Sequence, residues 1–204
     1  MYSRKSQQKS SKIKKIAIFA SGAGSNSKRI IEHFTADEKI SVSLVVCNKP
    51  GAGVLQIASD FNIPVLLIEK DRFFKGNGYV DELKDAGIEF IVLAGFLWKI
   101  PQMLIDAYRN RMINIHPALL PKYGGKGMYG SKVHEAVIAA GEKESGITIH
   151  YVDEHYDNGA VIFQATCLVS ADDTPDSLAE KVHHLEHANF ARVIEECIKQ
   201  QISS

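Results

Sequence analysis

The sequence predicts an α/β fold with a largely parallel β-sheet. Short runs of β-branched residues alternate with stretches of helical length, which is typical of consecutive βαβ units. Several of the apolar runs contain no polar alternation, as expected for strands that helices cover on both faces. With 204 residues, of which 45% are hydrophobic, the chain is long enough to bury one sizeable core.

Five apolar runs predict the parallel strands of this sheet. In chain order they are Ile13–Ala20, Val42–Cys47, Val65–Ile68, Phe90–Ala94 and Met112–Ile115. Sequence of helical length separates each run from the next, and parallel neighbours require such a crossover connection. We therefore expect the carboxyl ends of these strands to share one edge, which is where open α/β sheets bind ligands.

The pattern changes in the C-terminal third of the chain. Ile147–Val152 and Val161–Ala165 are strand-like, and the turn-forming residues Asp157-Asn158-Gly159 lie between them. This order predicts an antiparallel hairpin extension at the edge of the sheet, with a loop at its tip.

The last predicted element is a long C-terminal helix. Thr174 is a good N-cap, and Pro175 suits the first helical position. Apolar residues then recur at helical spacing, at Leu178, Val182, Leu185 and Phe190.

Charge balance and cysteine spacing narrow the classes of partner. The chain has 24 lysine and arginine residues and 24 aspartate and glutamate residues, so its formal net charge is zero. No overall positive charge would therefore attract nucleic acid or an anionic membrane. Cys47, Cys167 and Cys197 are far apart in the sequence, which disfavours a disulfide framework and a thiolate metal site. We expect a cytoplasmic protein that acts on small molecules, with no nucleic-acid partner and no membrane span.

Residues 1–12 differ in composition from the rest of the chain. They are rich in lysine and serine and lack the apolar stretch of a secretory signal. We predict a disordered basic tail over 1–12 and a single domain over 13–204.

A glycine-rich segment, Ser21-Gly22-Ala23-Gly24-Ser25-Asn26, directly follows the first predicted strand. Its glycines let a ligand approach the backbone, and the N–H groups at the start of the next helix favour an anion. A dinucleotide site is disfavoured because Ser27 stands in place of the third glycine of the G-x-G-x-x-G pattern. A plain strand-to-helix turn is the alternative to the interpretation that we favour, a monophosphate cradle. The residues of that cradle are Gly24, Ser25 and Asn26.

Asn114 and His116 lie two residues apart at the end of the fifth predicted strand, so both project to the same side. An amide donor beside an imidazole suits a carbonyl whose oxygen becomes negative under nucleophilic attack. Asp157, in the hairpin loop, is the candidate carboxylate that would orient His116 and keep it protonated. A plainer interpretation makes His116 a core histidine and Asp157 a turn-former.

The last helix contains a possible metal motif. His183-His184-Leu185-Glu186-His187 fits the H-x-x-E-H spacing of an inverted zinc peptidase helix. A catalytic zinc needs another protein ligand, and the chain ends soon afterwards. We therefore expect no metal.

Four separated motifs resemble, in order and spacing, those of the phosphoribosylglycinamide formyltransferases. They are the glycine-rich segment, Leu93-Ala94-Gly95-Phe96, Asn114–Lys122 and Asp157-Asn158-Gly159. The resemblance implies a Rossmann-like fold. It also implies transfer of a formyl group from the co-substrate 10-formyltetrahydrofolate to the amine of 5'-phosphoribosylglycinamide, in de novo purine biosynthesis.

The resemblance further implies roles for individual residues. The reacting centre would consist of Asn114, His116 and Asp157. The phosphorylated substrate would contact Gly24, Ser25, Asn26, His183, His184, Leu185 and Glu186, the last of these at the amine. The folate would contact Asn114 and two further groups of residues, which are Leu97, Trp98, Lys99 and Ile100 on one wall and Asp153, Glu154, His155, Tyr156 and Asp157 on the other. Arg72 matches a family arginine near the folate.

Two segments depart from the family pattern. Gly76-Asn77-Gly78 alters the sequence after Arg72, and the loop Gly124–Gly130 is longer than usual. Of two histidines that the family commonly has near that loop, only the second has a counterpart, which is His134.

Other functions stay open at this point. The chain could be another folate-dependent formyltransferase, a formyltetrahydrofolate hydrolase or a phosphate-binding module without chemistry. We expect a monomer or a homodimer.

Overall fold

Seven strands form one sheet in the computed structural model, which describes residues 13–203. The predicted tail at 1–12 lies outside the described residues. The strands are β1 (Lys14–Ala20), β2 (Ile40–Cys47), β3 (Val65–Leu67), β4 (Phe90–Leu93), β5 (Met112–His116), β6 (Glu144–Tyr151) and β7 (Val161–Leu168). Their spatial order is β3-β2-β1-β4-β5-β6-β7.

Helices connect the strands and cover both faces of the sheet. They are α1 (Ser25–Phe34), α2 (Gly53–Asp60), α3 (Lys70–Lys75), α4 (Val80–Asp85), α5 (Gln102–Ala107), α6 (Ser131–Ala139) and α7 (Pro175–Ser203). No helix within residues 13–203 combines the length and the apolar character that a membrane span requires.

The predicted fold class is confirmed. Strands β1 to β5 pair in parallel, and β6 and β7 add to the β5 edge in antiparallel orientation. The strand order reverses beside β1, because β2 lies on one side of it and β4 on the other. A crevice is expected at the carboxyl ends of strands at such a switch point.

Strand β1 shows why its sequence is apolar throughout. Ile16 and Ile18 pack into the core cluster that contains Phe190 and Ile194 of α7. Ala17 and Phe19 point to the opposite face and join a second cluster, formed with α3, α4 and α5. Because successive side chains point to opposite faces, a strand that is covered on both sides needs no polar residue.

Helix α7 begins where the sequence predicts. Its first residue is Pro175, and the N–H of Ser177 donates to Oγ1 of Thr174 at 3.1 Å. Thr174 is therefore a side-chain N-cap. Leu178 and Val182 are buried in the core cluster beneath α7. The opposite face of the first turns of this helix therefore lies beside the strand ends.

Candidate active site

A cleft of about 810 Å³ lies at the carboxyl ends of β1, β4 and β5. The glycine-rich segment and the residues after β4 form two of its sides. The hairpin loop, the loop before α6 and the first half of α7 complete it. Its polar lining residues include Ser25, Asn26, Asn114, His116, His134, His150, Asp157, His183 and Glu186.

The glycine-rich segment turns sharply into α1. Gly24 has a φ of 82°, and a Cβ at this position would lie 2.9 Å from the Cα of Val54 in α2. Gly22 also lines the cleft, but a Cβ there would meet no heavy atom within 4 Å. Gly24 therefore permits the turn and the close approach of α2, whereas Gly22 leaves space in the cleft itself.

Asn26 links the start of α1 to α7. Its Nδ2 donates to Oε2 of Glu186 at 2.9 Å, and Nδ1 of His183 lies 2.9 Å from the same oxygen. Glu186 is only 5% exposed, and it raises the pKa of His183. The buried Oδ1 of Asn26 has no hydrogen-bond partner among the described residues, so it can accept a bond from a ligand.

Asn114 is held in place from the neighbouring strand. Antiparallel pairing sets Asn114 opposite His150, and Asn114 Nδ2 lies 3.1 Å from His150 Nε2. Nδ1 of His150 is 2.8 Å from the carbonyl oxygen of Tyr151, which can only accept. Nδ1 of His150 therefore carries the hydrogen, and Nε2 accepts from Asn114.

His116 faces a carbonyl on one side and a carboxylate on the other. Its Nε2 donates to the carbonyl oxygen of Tyr123 at 2.8 Å, while Nδ1 lies 3.6 Å from Oδ2 of Asp157. The side chain is buried, and burial lowers its pKa more than Asp157 raises it. Asp157 thus approaches His116 as predicted, but the unliganded imidazole is less basic than the sequence interpretation requires.

Asp157 also fixes the loop between β5 and α6. The N–H of Gly125 donates to Oδ2 of Asp157 at 2.9 Å, and Nε2 of His150 lies 3.7 Å from Oδ1. Burial acts to raise the pKa of the carboxyl, but the nearby imidazoles and the Gly125 N–H outweigh it. The pKa of Asp157 is therefore lowered, and the group is a carboxylate at neutral pH.

The segment after β4 forms an opposite wall of the cleft. The N–H of Leu97 donates to Oγ of Ser21 at 2.9 Å, which ties this wall to the end of β1. Trp98 packs on Phe73 in an aromatic group beneath it. Nζ of Lys99 lies 5.6 Å from the ring centre of Tyr156, so the β4 wall meets the hairpin loop there.

Four predicted contact residues lie outside the lining of the cleft. Arg72 pairs with Glu82 and stacks on the ring of Tyr79, in the layer of α3 and α4. Its position therefore does not support its assignment to the folate site, and the altered Gly76-Asn77-Gly78 segment comes directly after this helix. Glu154 is exposed within the hairpin loop, while its neighbours on either side face the cleft.

The other two, His184 and Leu185, are turned away by helix geometry. His183 and Glu186 are three residues apart and share one face of α7, which is the face that lines the cleft. His184 instead contacts the carbonyl oxygen of Glu180, and Leu185 packs against the core. A contiguous run of four was therefore too broad a prediction for a helix.

His150 is the site residue that the sequence interpretation did not single out. Thr148 and His150 are polar residues on one face of β6, and they alternate with Ile147 and Ile149 on the other. That alternation was the available signal, but it does not identify the partner of His150. Only the register of β6 on β5 does so.

Three potential metal ligands lie close together in the hairpin loop. Side chains of Asp153, Glu154 and His155 offer ligand atoms within 4.8 Å of one another, the one such group among residues 13–203. Asp153 already accepts from the N–H of His155 at 2.8 Å. This group is separate from the H-x-x-E-H pattern, whose Glu186 bonds to Asn26 and His183.

Comparison with protein families and known proteins gives a consistent result. A family model described as "Formyl transferase" matches residues 14–194. A chloroplastic phosphoribosylglycinamide formyltransferase of Arabidopsis thaliana is 42% identical over 196 residues, covering 93% of this chain and 67% of that protein. The phosphoribosylglycinamide formyltransferase of Bacillus subtilis is 35% identical, covering 91% of this chain and 95% of that protein.

Solved structures agree with these sequence matches. The crystal structure of phosphoribosylglycinamide formyltransferase from Bacillus halodurans has a TM-score of 0.81 and 35% sequence identity. The similarity covers 90% of this chain and 94% of that one. The chain thus spans about two thirds of its plant relative and nearly the full length of its bacterial relatives.

Proposed function

The chain belongs to the formyl transferase family, and from that premise we propose that it is a phosphoribosylglycinamide formyltransferase. It would move the formyl group of 10-formyltetrahydrofolate to the amine of 5'-phosphoribosylglycinamide, giving formylglycinamide ribonucleotide and tetrahydrofolate in de novo purine biosynthesis. The observation that carries this proposal is one cleft in which Asn114, His116 and Asp157 converge beside an N-terminal helix turn suited to phosphate.

The two substrates would enter the cleft from different sides. The phosphate of the acceptor binds at Gly24, Ser25 and Asn26, where α1 begins without a side-chain cap, so its first N–H groups can donate to an anion. The acceptor then extends past Glu186 and His183 toward β5. The folate lies between the wall at Leu97–Ile100 and the hairpin loop at 153–157, with its formyl group at Asn114.

The reaction itself is an acyl transfer that needs an oxyanion site. The neutral amine attacks the formyl carbon, and the formyl oxygen becomes negative. Asn114 donates its second amide N–H to this oxygen, because His150 holds the first. Since both groups sit on adjacent strands, the donor is oriented before the substrates bind.

His116 supplies the second donor in its protonated form. Its Nδ1 lies 3.6 Å from Asp157, which is longer than a normal hydrogen bond, so this nitrogen is open to the substrate oxygen. Burial opposes protonation, and Asp157 favours it. The growing negative charge on the formyl oxygen favours it further, so the imidazolium is stabilised most as the transition state forms.

The same proposal covers the remaining properties of the chain. Residues 13–204 act as one catalytic domain, in the cytoplasm, on small-molecule substrates and without a metal. The protein works as a monomer or a homodimer.

An assay of folate deformylation tests the function directly. The purified protein is mixed with 10-formyltetrahydrofolate, with and without 5'-phosphoribosylglycinamide, and the products are identified by mass spectrometry. We expect tetrahydrofolate and formylglycinamide ribonucleotide only when the acceptor is present. Deformylation without acceptor would indicate a hydrolase, and binding of both ligands without any product would indicate a non-catalytic module.

A further inference from the structure

His134 is a buried histidine that borders the cleft and has no role in the mechanism described above. It lies on the second turn of α6 and is 5% exposed. Its Nδ1 is buried and has no hydrogen-bond partner among residues 13–203. Buried polar atoms are nearly always hydrogen-bonded in folded proteins, so an unpartnered nitrogen beside a ligand cleft points to a bond made with the ligand.

The charged and titratable groups around His134 come from two elements. Helix α7 contributes Glu186 and His183, and β5 contributes His116. Burial is the main effect on the ring, and it lowers the pKa of His134. Glu186 raises the pKa, while His183 and His116 lower it further. The net result is a neutral imidazole at pH 7, which can accept a proton.

The neighbours of His134 also place it along the path of the acceptor. Glu186 is hydrogen-bonded to Asn26 at the phosphate end of the cleft. His116 lies at the other end, beside the reacting carbon in the proposed function. His134 lines the same cleft as Glu186 and His116, so it borders the space in which the amine would meet the formyl carbon.

We propose that His134 is a further catalytic residue, which accepts the proton that the acceptor amine loses as it attacks. This inference rests on the proposed formyl transfer and adds a base to it. Nδ1 makes no hydrogen bond among the described residues, so no partner there holds a proton on this nitrogen. The nitrogen that faces the bound amine can therefore be the unprotonated one.

The step conserves atoms and charge. The amine nitrogen forms a bond to the formyl carbon, and the electron pair of the C=O bond moves to oxygen. His134 removes one proton from the nitrogen, which is then neutral. The oxygen pair re-forms the carbonyl, the bond from the formyl carbon to the folate nitrogen breaks, and that nitrogen takes up a proton. Protonated His134 releases its proton through water, so the net transfer is from amine to folate.

His187 offers a matched control within the same chain. Its Nε2 is also buried without a partner among the described residues, and burial also lowers its pKa. It does not line the cleft. A loss of activity that follows only from disturbing a histidine with a buried, unpartnered ring nitrogen would therefore appear at His187 as well.

The first test compares His134→Gln with His187→Gln. Wild-type protein must show acceptor-dependent formyl transfer, and its absence would reject the proposed function rather than this inference. We expect His134→Gln to lower kcat about 100-fold, the scale for a lost general base. His187→Gln should retain kcat within about threefold, because its side chain does not line the cleft. Equal kcat in wild type and His134→Gln would overturn the proposal.

Chemical rescue separates proton transfer from packing. His134→Ala leaves space beside the cleft, so added imidazole should raise its kcat, and more basic substituted imidazoles should do so more strongly. A rescue that is independent of imidazole basicity, or no rescue in a folded variant, would contradict a proton-transfer role.

A measurement on the unaltered protein remains if the variants do not fold. NMR of ¹⁵N-histidine-labelled protein, with phosphoribosylglycinamide bound and no folate, reports the protonation of each ring. We expect His134 to be neutral at pH 7 and its nitrogen shifts to change when the acceptor binds. A cationic ring at pH 7, or ring nitrogen chemical shifts that do not change when the acceptor binds, would reject the proposal.

Discussion

The side-chain amide of Asn114 lies 3.1 Å from Nε2 of His150, across the antiparallel pair of β5 and β6. His150 is itself fixed by the carbonyl oxygen of Tyr151 at 2.8 Å. The orientation of the proposed oxyanion donor thus depends on a residue that need not touch either substrate. Preorganised donors of this kind account for much of the rate in acyl transfer.

His150→Phe should lower kcat by about 10- to 100-fold and change KM little, because Asn114 loses the partner that orients it. Steady-state kinetics with both substrates measure this. Thr148→Val is a useful comparison, because Thr148 lies on the same face of β6 but bonds to Ala118 and Leu120 instead. An unchanged kcat in a folded His150→Phe protein would show that Asn114 needs no such support.

Asn114→Ala, His116→Ala and Asp157→Asn should each lower turnover by about 100-fold or more, the scale for losing an oxyanion donor or a proton-transfer group. Single-turnover formyl transfer with saturating substrates isolates the chemical step. Near-normal turnover in His116→Ala would remove the central part of the mechanism.

Asp157→Asn should lower the pKa of His116 further below its ordinary value. Asp157 is the largest influence that raises this pKa, so its removal leaves burial less opposed. NMR titration of the His116 ring in both proteins measures the difference. A higher pKa in Asp157→Asn would mean that the 3.6 Å approach does not act as an ion pair.

Gly22→Val and Gly24→Ala should fail in different ways. A side chain at Gly22 meets open space in the cleft, so the variant should fold normally but raise the KM of the phosphorylated acceptor. Gly24→Ala forces a φ of 82° on alanine and a contact of 2.9 Å with Val54, so its melting temperature should fall. Kinetics with phosphorylated and unphosphorylated acceptors, together with thermal melts, distinguish the two. Equal losses for both acceptors in Gly22→Val would argue against a phosphate at this loop.

Stability should fall as the pH is lowered from about 7 toward 5. Burial lowers the pKa of His116, His134 and His187 below the ordinary histidine value of 6.5, so the unfolded chain binds more protons than the folded chain in this range. The free energy of unfolding therefore decreases as the pH falls through the folded pKa values. His183, whose pKa Glu186 raises, acts in the opposite direction. Thermal melts at pH 7.5 and 5.5 test this, and His187→Gln should weaken the dependence. A melting temperature that rises on acidification would contradict the direction of these shifts.

The sequence by itself determined the layered architecture. Short apolar runs rich in β-branched residues, such as Ile16 to Ala20, favour strands covered on both faces. The Thr174-Pro175 pair marks the start of α7 through local hydrogen bonding and a fixed φ. These features depend on side-chain type and near-neighbour spacing. Both can be read along the chain, so the fold class and the start of the last helix agree with the structure.

The tertiary structure alone decided which distant residues come into contact and how the pKa values of their side chains are shifted. The pairing of Asn114 with His150 depends on strand register, and the contact of Gly125 with Asp157 depends on how a loop closes over the sheet. Neither relationship leaves a local signal in the sequence. Likewise, Asp157 lies beside His116 as predicted, yet burial lowers the pKa of the imidazole, because desolvation is set by all the atoms packed around the ring.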